Sequence, residues 1–281
     1  MRTGLVLEGG AMRGMFTCGV TDVMMENGLT FDGAMGVSAG AIFGCNYKSG
    51  QPGRAIRYNL AFCQDKRYGT FRSLLKTGDL YDADFCYRQI PDELDWFDTD
   101  TFERNPMEFW VVATDVLTGK AVYHKCTDGR REDVTWIRAS GSMPLAAKPV
   151  EVGGYTMLDG GIADSVPLRK MEELGYDRNV VVLTQPKGYV KGQNKAIPLM
   201  KMALRKYPDF IRTAENRPGM YNETIRYVRE KERAGEVFVI RPEAALDIGK
   251  TEHDPERLKA VYEQGRAVME KRLAALREFL K

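Results

Sequence analysis

Two short apolar runs, each broken by a glycine-rich turn and followed at once by a helix-forming stretch, constrain this chain more than any other feature. Leu5-Val6-Leu7 leads into Gly9-Gly10-Ala11-Met12-Arg13-Gly14, and a helix is predicted from there to Glu26, where Asn27-Gly28 is a stop signal. Phe31 to Val37 reads as a second strand, ending in Gly36-Val37-Ser38-Ala39-Gly40 and followed by a helix to Lys48. Strand, turn and helix, repeated, predict an α/β domain with a parallel sheet and right-handed crossovers. Further strands are predicted at Phe109 to Thr114, Ala121 to His124, Val180 to Leu183 and Val237 to Ile240, and a helix at Asp133 to Ala139. Asp254-Pro255 is a strong helix start, and Leu258, Val261, Tyr262, Gly265, Val268, Met269, Leu273, Leu276 and Leu280 then recur at helical spacing. Such a stripe packs in a core or on a partner more often than on a membrane.

Size and charge bound the function. At 281 residues the chain suits one large domain, or a domain with a helical appendage. Lys+Arg 41 against Asp+Glu 39 leaves a net +2, which argues against a nucleic-acid partner. Mean hydropathy is −0.38, ordinary for a globular protein with a sizeable core. The five cysteines are scattered without a C-x-x-C pair, so neither a zinc site nor a disulfide framework is favoured, and reduced thiols are expected. Gly4 to Leu7 meets Glu8 too early for a secretory signal, and no apolar run is long enough to span a bilayer. A cytoplasmic protein that meets lipid from the aqueous side is therefore expected.

Gly36-x-Ser38-x-Gly40 is a G-x-S-x-G pattern. A nucleophile on a tight strand-to-helix turn needs neighbours without bulk, and the turn projects the Ser oxygen at a helix N-terminus, where N–H groups favour developing negative charge. Taken alone the pattern is weak, and a Ser that only caps the helix would look the same; the strand before it and the helix after it strengthen it. Gly9 to Gly14 supplies backbone N–H groups that can face an anion at close range. A dinucleotide loop would need G-x-G-x-x-G, which Ala11 spoils, and the P-loop Gly-Lys-Ser/Thr ending is missing. Leu158-Asp159-Gly160-Gly161 puts a carboxylate in a tight turn, as a catalytic group or as a turn Asp bonding its own backbone. The only histidines are His124, in a strand-like run, and His253, just before the last helix; the order Ser, Asp, His would require His253. A carboxylate base would depend on a site that raises its pKa or withholds water.

These three motifs, in this order, with Ala139-Ser140-Gly141-Ser142-Met143-Pro144 between the second and third, resemble the patatin-like phospholipases, and most closely their bacterial cytosolic branch. The resemblance spans residues 4–185, with 186–281 as a mainly helical extension. It implies a three-layer sandwich, a mostly parallel central sheet flanked by helices. It implies a dyad of Ser38 as nucleophile and Asp159 as base, an oxyanion hole from the backbone at Gly10 and Ala11 in the loop holding Gly9, Arg13 and Gly14, and Gly36, Gly40, Gly160 and Gly161 as the turns around the dyad. It implies a lipid ester substrate; no cofactor or metal is expected, since neither His nor Cys clusters at ligand spacing. One departure is Ala11, where the family usually has glycine; its N–H serves only if the local φ is negative or tolerated. Arg13 either steadies the loop or an anionic head group, or pairs with a carboxylate.

The expected activity is hydrolysis of a lipid carboxylic ester through an acyl-enzyme, with a general esterase or thioesterase, or a non-catalytic lipid- or partner-binding module, as alternatives. Lys187 to Arg217 interleaves Lys191, Lys195, Lys201, Arg205, Lys206 and Arg212 with Ile197, Leu199, Met200, Met202 and Leu204. That segment reads as a solvated helix with one buried face or, less often, as a peripheral contact with the inner membrane surface. Trp96, Phe97, Phe102, Phe109 and Trp110 are expected in the core or in the wall of an acyl-chain pocket.

Overall fold

The computed structural model describes residues 1–281. Its strands are β1 (Thr3–Leu7), β2 (Gly33–Val37), β3 (Glu108–Asp115), β4 (Ala121–Cys126), β5 (Val150–Val152), β6 (Tyr155–Asp159), β7 (Arg178–Val182) and β8 (Val237–Ile240). The α-helices are α1 (Gly14–Glu26), α2 (Ala39–Lys48), α3 (Arg54–Phe62), α4 (Phe71–Thr77), α5 (Thr99–Arg104), α6 (Arg131–Ser140), α7 (Leu168–Glu173), α8 (Ile197–Ala203), α9 (Pro208–Arg233) and α10 (Pro255–Phe279). A wide π-helical segment, Phe85–Leu94, carries Pro91. Proline has no N–H to give to a tighter ladder, which accounts for the irregular winding there.

Strands β3, β2, β1, β7 and β8 lie side by side and all parallel, in that order. Strands β4 and β6 join β3 antiparallel, and β5 pairs with β6. The period of two along the strands divides the core into layers. Leu5, Leu7, Ala34, Val180, Val182, Phe238 and Ile240 point to one face and pack with side chains of α1, α2, α3 and α10. Val6, Met35, Val37, Val181, Val237 and Val239 point to the other and pack against Leu168, Met171, Tyr221 and Val228 of α7 and α9. Buried on both faces, these strands read as continuous apolar runs, as parallel strands do. The result is the three-layer α/β sandwich with a mostly parallel sheet that the resemblance implies. The hairpin β5–β6, which delivers Asp159, has no counterpart among the predicted strands. Val150-Glu151-Val152 is only three residues long, too short to show a period.

Residues beyond 186 supply the edge strand β8 and, in α9 and α10, one helix to each outer layer. As the sequence predicts, Asp254 caps α10, its carboxylate accepting from the Glu256 N–H, with Pro255 at the first helical position. The apolar stripe of α10 is core: Leu258, Val261, Met269 and Leu276 are buried. Two glycines let α10 lie directly on α1. A Cβ on Gly19 would stand 2.1 Å from the Tyr262 carbonyl oxygen, and one on Gly265 2.1 Å from that of Phe16. Backbone cannot yield locally as a flexible side chain can. Gly265→Ala is therefore expected to destabilise the fold by about 1–3 kcal/mol, read as a lower urea midpoint; an unchanged midpoint would show that the two helices can separate freely.

Candidate active site

Strand β3 is the ruler on which the site is laid out. Strand β4 takes one of its edges over Phe109 to Thr114, so β2 and β6 must share the other. Strand β2 ascends that edge and ends with Val37 opposite Val112; β6 descends it and ends with Asp159 opposite Ala113. The two strands meet head to head, and the residues at the junction are Ser38 and Asp159. The Ser38 hydroxyl donates to Asp159 Oδ2 at 2.7 Å. Asp159 Oδ1 accepts from the Gly161 N–H at 2.8 Å, and Thr114 Oγ1 donates to the Asp159 carbonyl at 2.8 Å. One oxygen of this carboxylate closes the Asp-Gly-Gly turn, and the other meets the serine. Gly160 is needed at the junction, since a Cβ there would stand 2.0 Å from the Val112 carbonyl oxygen.

Ser38 holds φ 53° and ψ −121°, a conformation that favours glycine and stores strain in any other residue. The turn is possible because its flanks are bare: a Cβ on Gly36 would meet the Gly40 carbonyl at 2.4 Å, and one on Gly40 would meet the Leu7 carbonyl at 2.3 Å. The strained turn is pinned by the serine of the Ala-Ser-x-x-x-Pro block. Ser140, the last residue of α6, donates to the Val112 carbonyl at 2.6 Å and accepts from the Ser38 N–H at 2.8 Å. The Ala-Ser-x-x-x-Pro block marked the position, but the partners lie 28 and 102 residues away.

The glycine loop runs beside the serine. A Cβ on Gly9 would stand 3.0 Å from Ser38 Cβ, one on Gly10 2.7 Å from Thr184 Oγ1, and one on Gly14 2.9 Å from Ala39 Cβ. The N–H groups of Gly10 and Ala11 find no acceptor within the protein, as an oxyanion hole requires of its donors. Ala11 takes φ 50°, so the question raised by the missing glycine resolves as a left-handed alanine, at a cost of about 1–2 kcal/mol. Arg13 makes no ion pair, and its buried Nε lacks any hydrogen-bond partner; the carboxylate pairing considered for it is not formed.

Asp159 is 6% exposed. Burial pushes its pKa up from the ordinary 3.8, against the pull of the Arg217 guanidinium, the Ser38 hydroxyl and the Gly161 N–H. Both histidines are committed elsewhere. His124 Nε2 lies 3.0 Å from Asp133 Oδ1 with its ring stacked on Trp136, and His253 Nδ1 lies 2.6 Å from the Cys63 carbonyl. His124, Asp133 and Cys126 have potential metal donors within 4.8 Å of one another. Asp133, however, spends Oδ2 on the N–H groups of Thr127, Asp128 and Gly129 and Oδ1 on His124, which is the pattern of a loop clamp.

A cavity of about 120 Å³ opens at Ser38, and sixteen of its twenty lining residues are hydrophobic, including Met12, Ile42, Phe43, Ile90 and Phe97. Such a lining accommodates apolar groups. Of the aromatic residues expected in a core or pocket wall, Phe97 lines the cavity and Phe102 and Phe109 are core. Trp96 is 59% exposed and Trp110 packs half-buried on the opposite face of the sheet. In the basic segment only Met200 of the five apolar residues is fully buried, while Leu199 and Met202 face outward. No helix is long and apolar enough to cross a membrane.

Strain at the serine has a measurable signature. Ser38→Gly and Ser38→Ala lose the same hydrogen bond, but only glycine relaxes at φ 53°. The glycine variant is expected to be the more stable by about 1 kcal/mol; equal denaturation midpoints would show an unstrained turn.

The chain resembles known proteins over much of its length. Residues 5–171 match the family model described as patatin-like phospholipase, and residues 207–281 match a domain of unknown function, DUF6363. It is 31% identical over 204 residues to the uncharacterized protein YjjU of Escherichia coli, covering 66% of this chain and 52% of that one. It is 26% identical over 181 residues to the uncharacterized NTE family protein Rv1063c of Mycobacterium tuberculosis, covering 64% and 48%. It therefore spans about half the length of these curated relatives. Among solved structures, VipD from Legionella pneumophila superposes with a TM-score of 0.47 at 15% identity, over 98% of this chain and 67% of that one. With the family model matched over more than half its length, the chain belongs to the patatin-like phospholipases, a family of lipid acyl hydrolases.

Proposed function

We propose that this protein hydrolyses carboxylic esters of lipids through an acyl-enzyme, with Ser38 as nucleophile and Asp159 as its base. The observation that carries the reading is the 2.7 Å hydrogen bond from the Ser38 hydroxyl to a buried carboxylate, at the mouth of an apolar cavity. Ser38 Oγ attacks the ester carbonyl carbon while its proton passes to Asp159 Oδ2. The carbonyl oxygen becomes an oxyanion and accepts from the Gly10 and Ala11 N–H groups. Collapse expels the alcohol, which takes the proton from Asp159. Water then attacks the acyl-serine, gives its proton to Asp159, and the acid leaves as Oγ recovers a proton.

A carboxylate is a weak base in water. Burial makes Asp159 a better proton acceptor, and the Arg217 charge keeps the ionised form accessible. The hydroxyl that holds the carboxylate is also the group to be deprotonated, so the pair is aligned before substrate arrives.

A fluorophosphonate probe should label the wild type and spare Ser38→Ala. Asp159→Asn should fold and lose about a thousandfold in kcat, whereas folded His124→Ala and His253→Ala variants should stay active. Comparable loss in a folded histidine variant would move the base away from Asp159. A folded wild type that neither labels nor turns over any ester would remove the enzyme reading altogether. Because Asp159 must be ionised to accept the proton, kcat/KM should fall as pH drops through its raised pKa. The acid limb should therefore lie above 3.8 and vanish with the residual activity of Asp159→Asn; a limb at or below the ordinary carboxylate value would contradict a buried base.

A further inference from the structure

Four cations gather on the side of the dyad away from the apolar cavity, and none of them lines it. Arg217 reaches in from α9, which packs on the sheet face opposite α1 and α2. Its Nη2 and Asp159 Oδ1 each lie 3.1 Å from the point where a Cβ would stand on Gly161. The guanidinium thus stands across that glycine from the carboxylate without pairing with it, and its charge acts on Asp159 together with that of Lys250. Arg13 belongs to the glycine loop itself, two residues after Ala11. The charges of Arg217, Arg13 and Lys250 all act on Lys191. Lys191 is held in place by its main chain, which exchanges hydrogen bonds of 2.8 and 3.0 Å with the Asn222 side chain, and its ammonium lies 4.4 Å from the centre of the Tyr221 ring.

None of these cations has a carboxylate partner. The buried Nε atoms of Arg13 and Arg217 have no hydrogen-bond partner, and the one hydrogen bond of the Arg217 side chain is a long 3.5 Å donation to Ser165 Oγ. The carboxylates close by are already satisfied. Glu8 accepts from Tyr221 and twice from Thr184, and Asp159 accepts from Ser38 and Gly161. Four positive charges against two occupied carboxylates leave an excess of positive charge beside the nucleophile. Burying donors without partners costs free energy, and a protein that maintains such a cluster next to a reactive serine has a use for it. An unused Nε–H beside the Nη groups is the edge of a guanidinium that grips two oxygens of a phosphate at once.

We propose that Lys191, Arg217, Lys250 and Arg13 form a subsite for the phosphate group of the ester substrate, on the opposite side of Ser38–Asp159 from its acyl chain. The inference rests on the hydrolase reading and deepens it: the preferred substrate carries a phosphate ester a few bonds from the scissile carboxylic ester. Three of the four cations lie beyond residue 186, outside the segment matched by the patatin-like model. The part of the chain that completes the sheet thus also selects the substrate. Lys191 makes the subsite sensitive to alkali. Burial, then the Arg217 and Arg13 charges, lower its pKa to about 8 against the pull of Glu8, with Tyr189, Tyr221 and Lys250 the other titratable groups around it. Below that pH it is a cation and attracts phosphate; above it, it is neutral and does not.

Two measurements test the subsite. The first compares kcat/KM for dioctanoylglycerol 3-phosphate and dioctanoylglycerol, which share acyl chains and differ in the phosphate. Wild type should prefer the phosphate ester, and Lys191→Gln and Lys250→Gln should each reduce that preference about tenfold. The second is calorimetry of glycerol 3-phosphate, with inorganic phosphate in parallel, on the inert Ser38→Ala background. Binding should be seen, should favour glycerol 3-phosphate, should weaken above pH 8 and should be lost when Lys191→Gln and Lys250→Gln are added. Lys250 is exposed, so its variant keeps the test open should Lys191→Gln fail to fold. Equal turnover of the two lipids, or binding indifferent to both substitutions, overturns the proposal, as does equal binding of inorganic phosphate. If no ester is hydrolysed yet glycerol 3-phosphate binding depends on these lysines, the subsite stands and the hydrolase reading falls.

Discussion

The collision of two strand ends on one edge of β3 is the constraint on which the rest of this structure depends. Strand β2 arrives parallel and stops opposite Val112, and β6 arrives antiparallel and stops opposite Ala113. Hydrogen-bond register is quantised, so this arrangement sets the separation of Ser38 and Asp159 through the sheet itself. A slip of one residue in either strand would turn its side chains to the other face and separate the pair. The surrounding contacts hold that register. Ser140 ties the Ser38 N–H to the Val112 carbonyl, Thr114 holds the Asp159 carbonyl, and Gly160 leaves room for the turn.

Around this junction the protein keeps two positive-φ residues that are not glycine, Ala11 and Ser38, on the two loops that face each other. Strain of this kind persists where neighbouring structure over-determines it. Here the over-determination comes from backbone packed against backbone at Gly36 and Gly40, and from β1 and β2 lying in register beneath both loops. Polarity is divided across the same junction. One side is an apolar cavity lined from α2, α6 and the π-helical segment; the other is a cluster of unpaired cations reached from α9 and the loops around it. The Asp159 carboxylate at this junction is desolvated by its own burial and held ionisable by the charges of Arg217 and Lys250.

The C-terminal residues belong to this architecture. Strand β8 covers what would be an open edge at β7, and α10 shields α1 through contacts that tolerate no side chain at Gly19 or Gly265. By pairing with β7 and burying the outer side of α1, the segment has a structural reason to accompany the motif-bearing part. Placing α9 on the opposite face brings Arg217 over the Asp-Gly-Gly turn.

Much of the fold and the core of the site could be read from the chain itself, for a local reason. A glycine-flanked serine between an apolar run and a helix, and a glycine loop after β1, are steric requirements met by adjacent residues, so their spacing displays them. Buried parallel strands announce themselves as unbroken apolar runs, and Asp254-Pro255 marks its helix in the same way. What tertiary structure decided are the relations between distant segments. It brought Asp159 to Ser38 across 121 residues, a pairing that the residues left open and only the family resemblance implied, and it made Ser140 the pin of the elbow. It also sent both histidines to other partners, and it gathered Lys191, Arg217 and Lys250 beside Arg13. No periodicity records such meetings, because they arise from strand register and from which face of the sheet each helix covers.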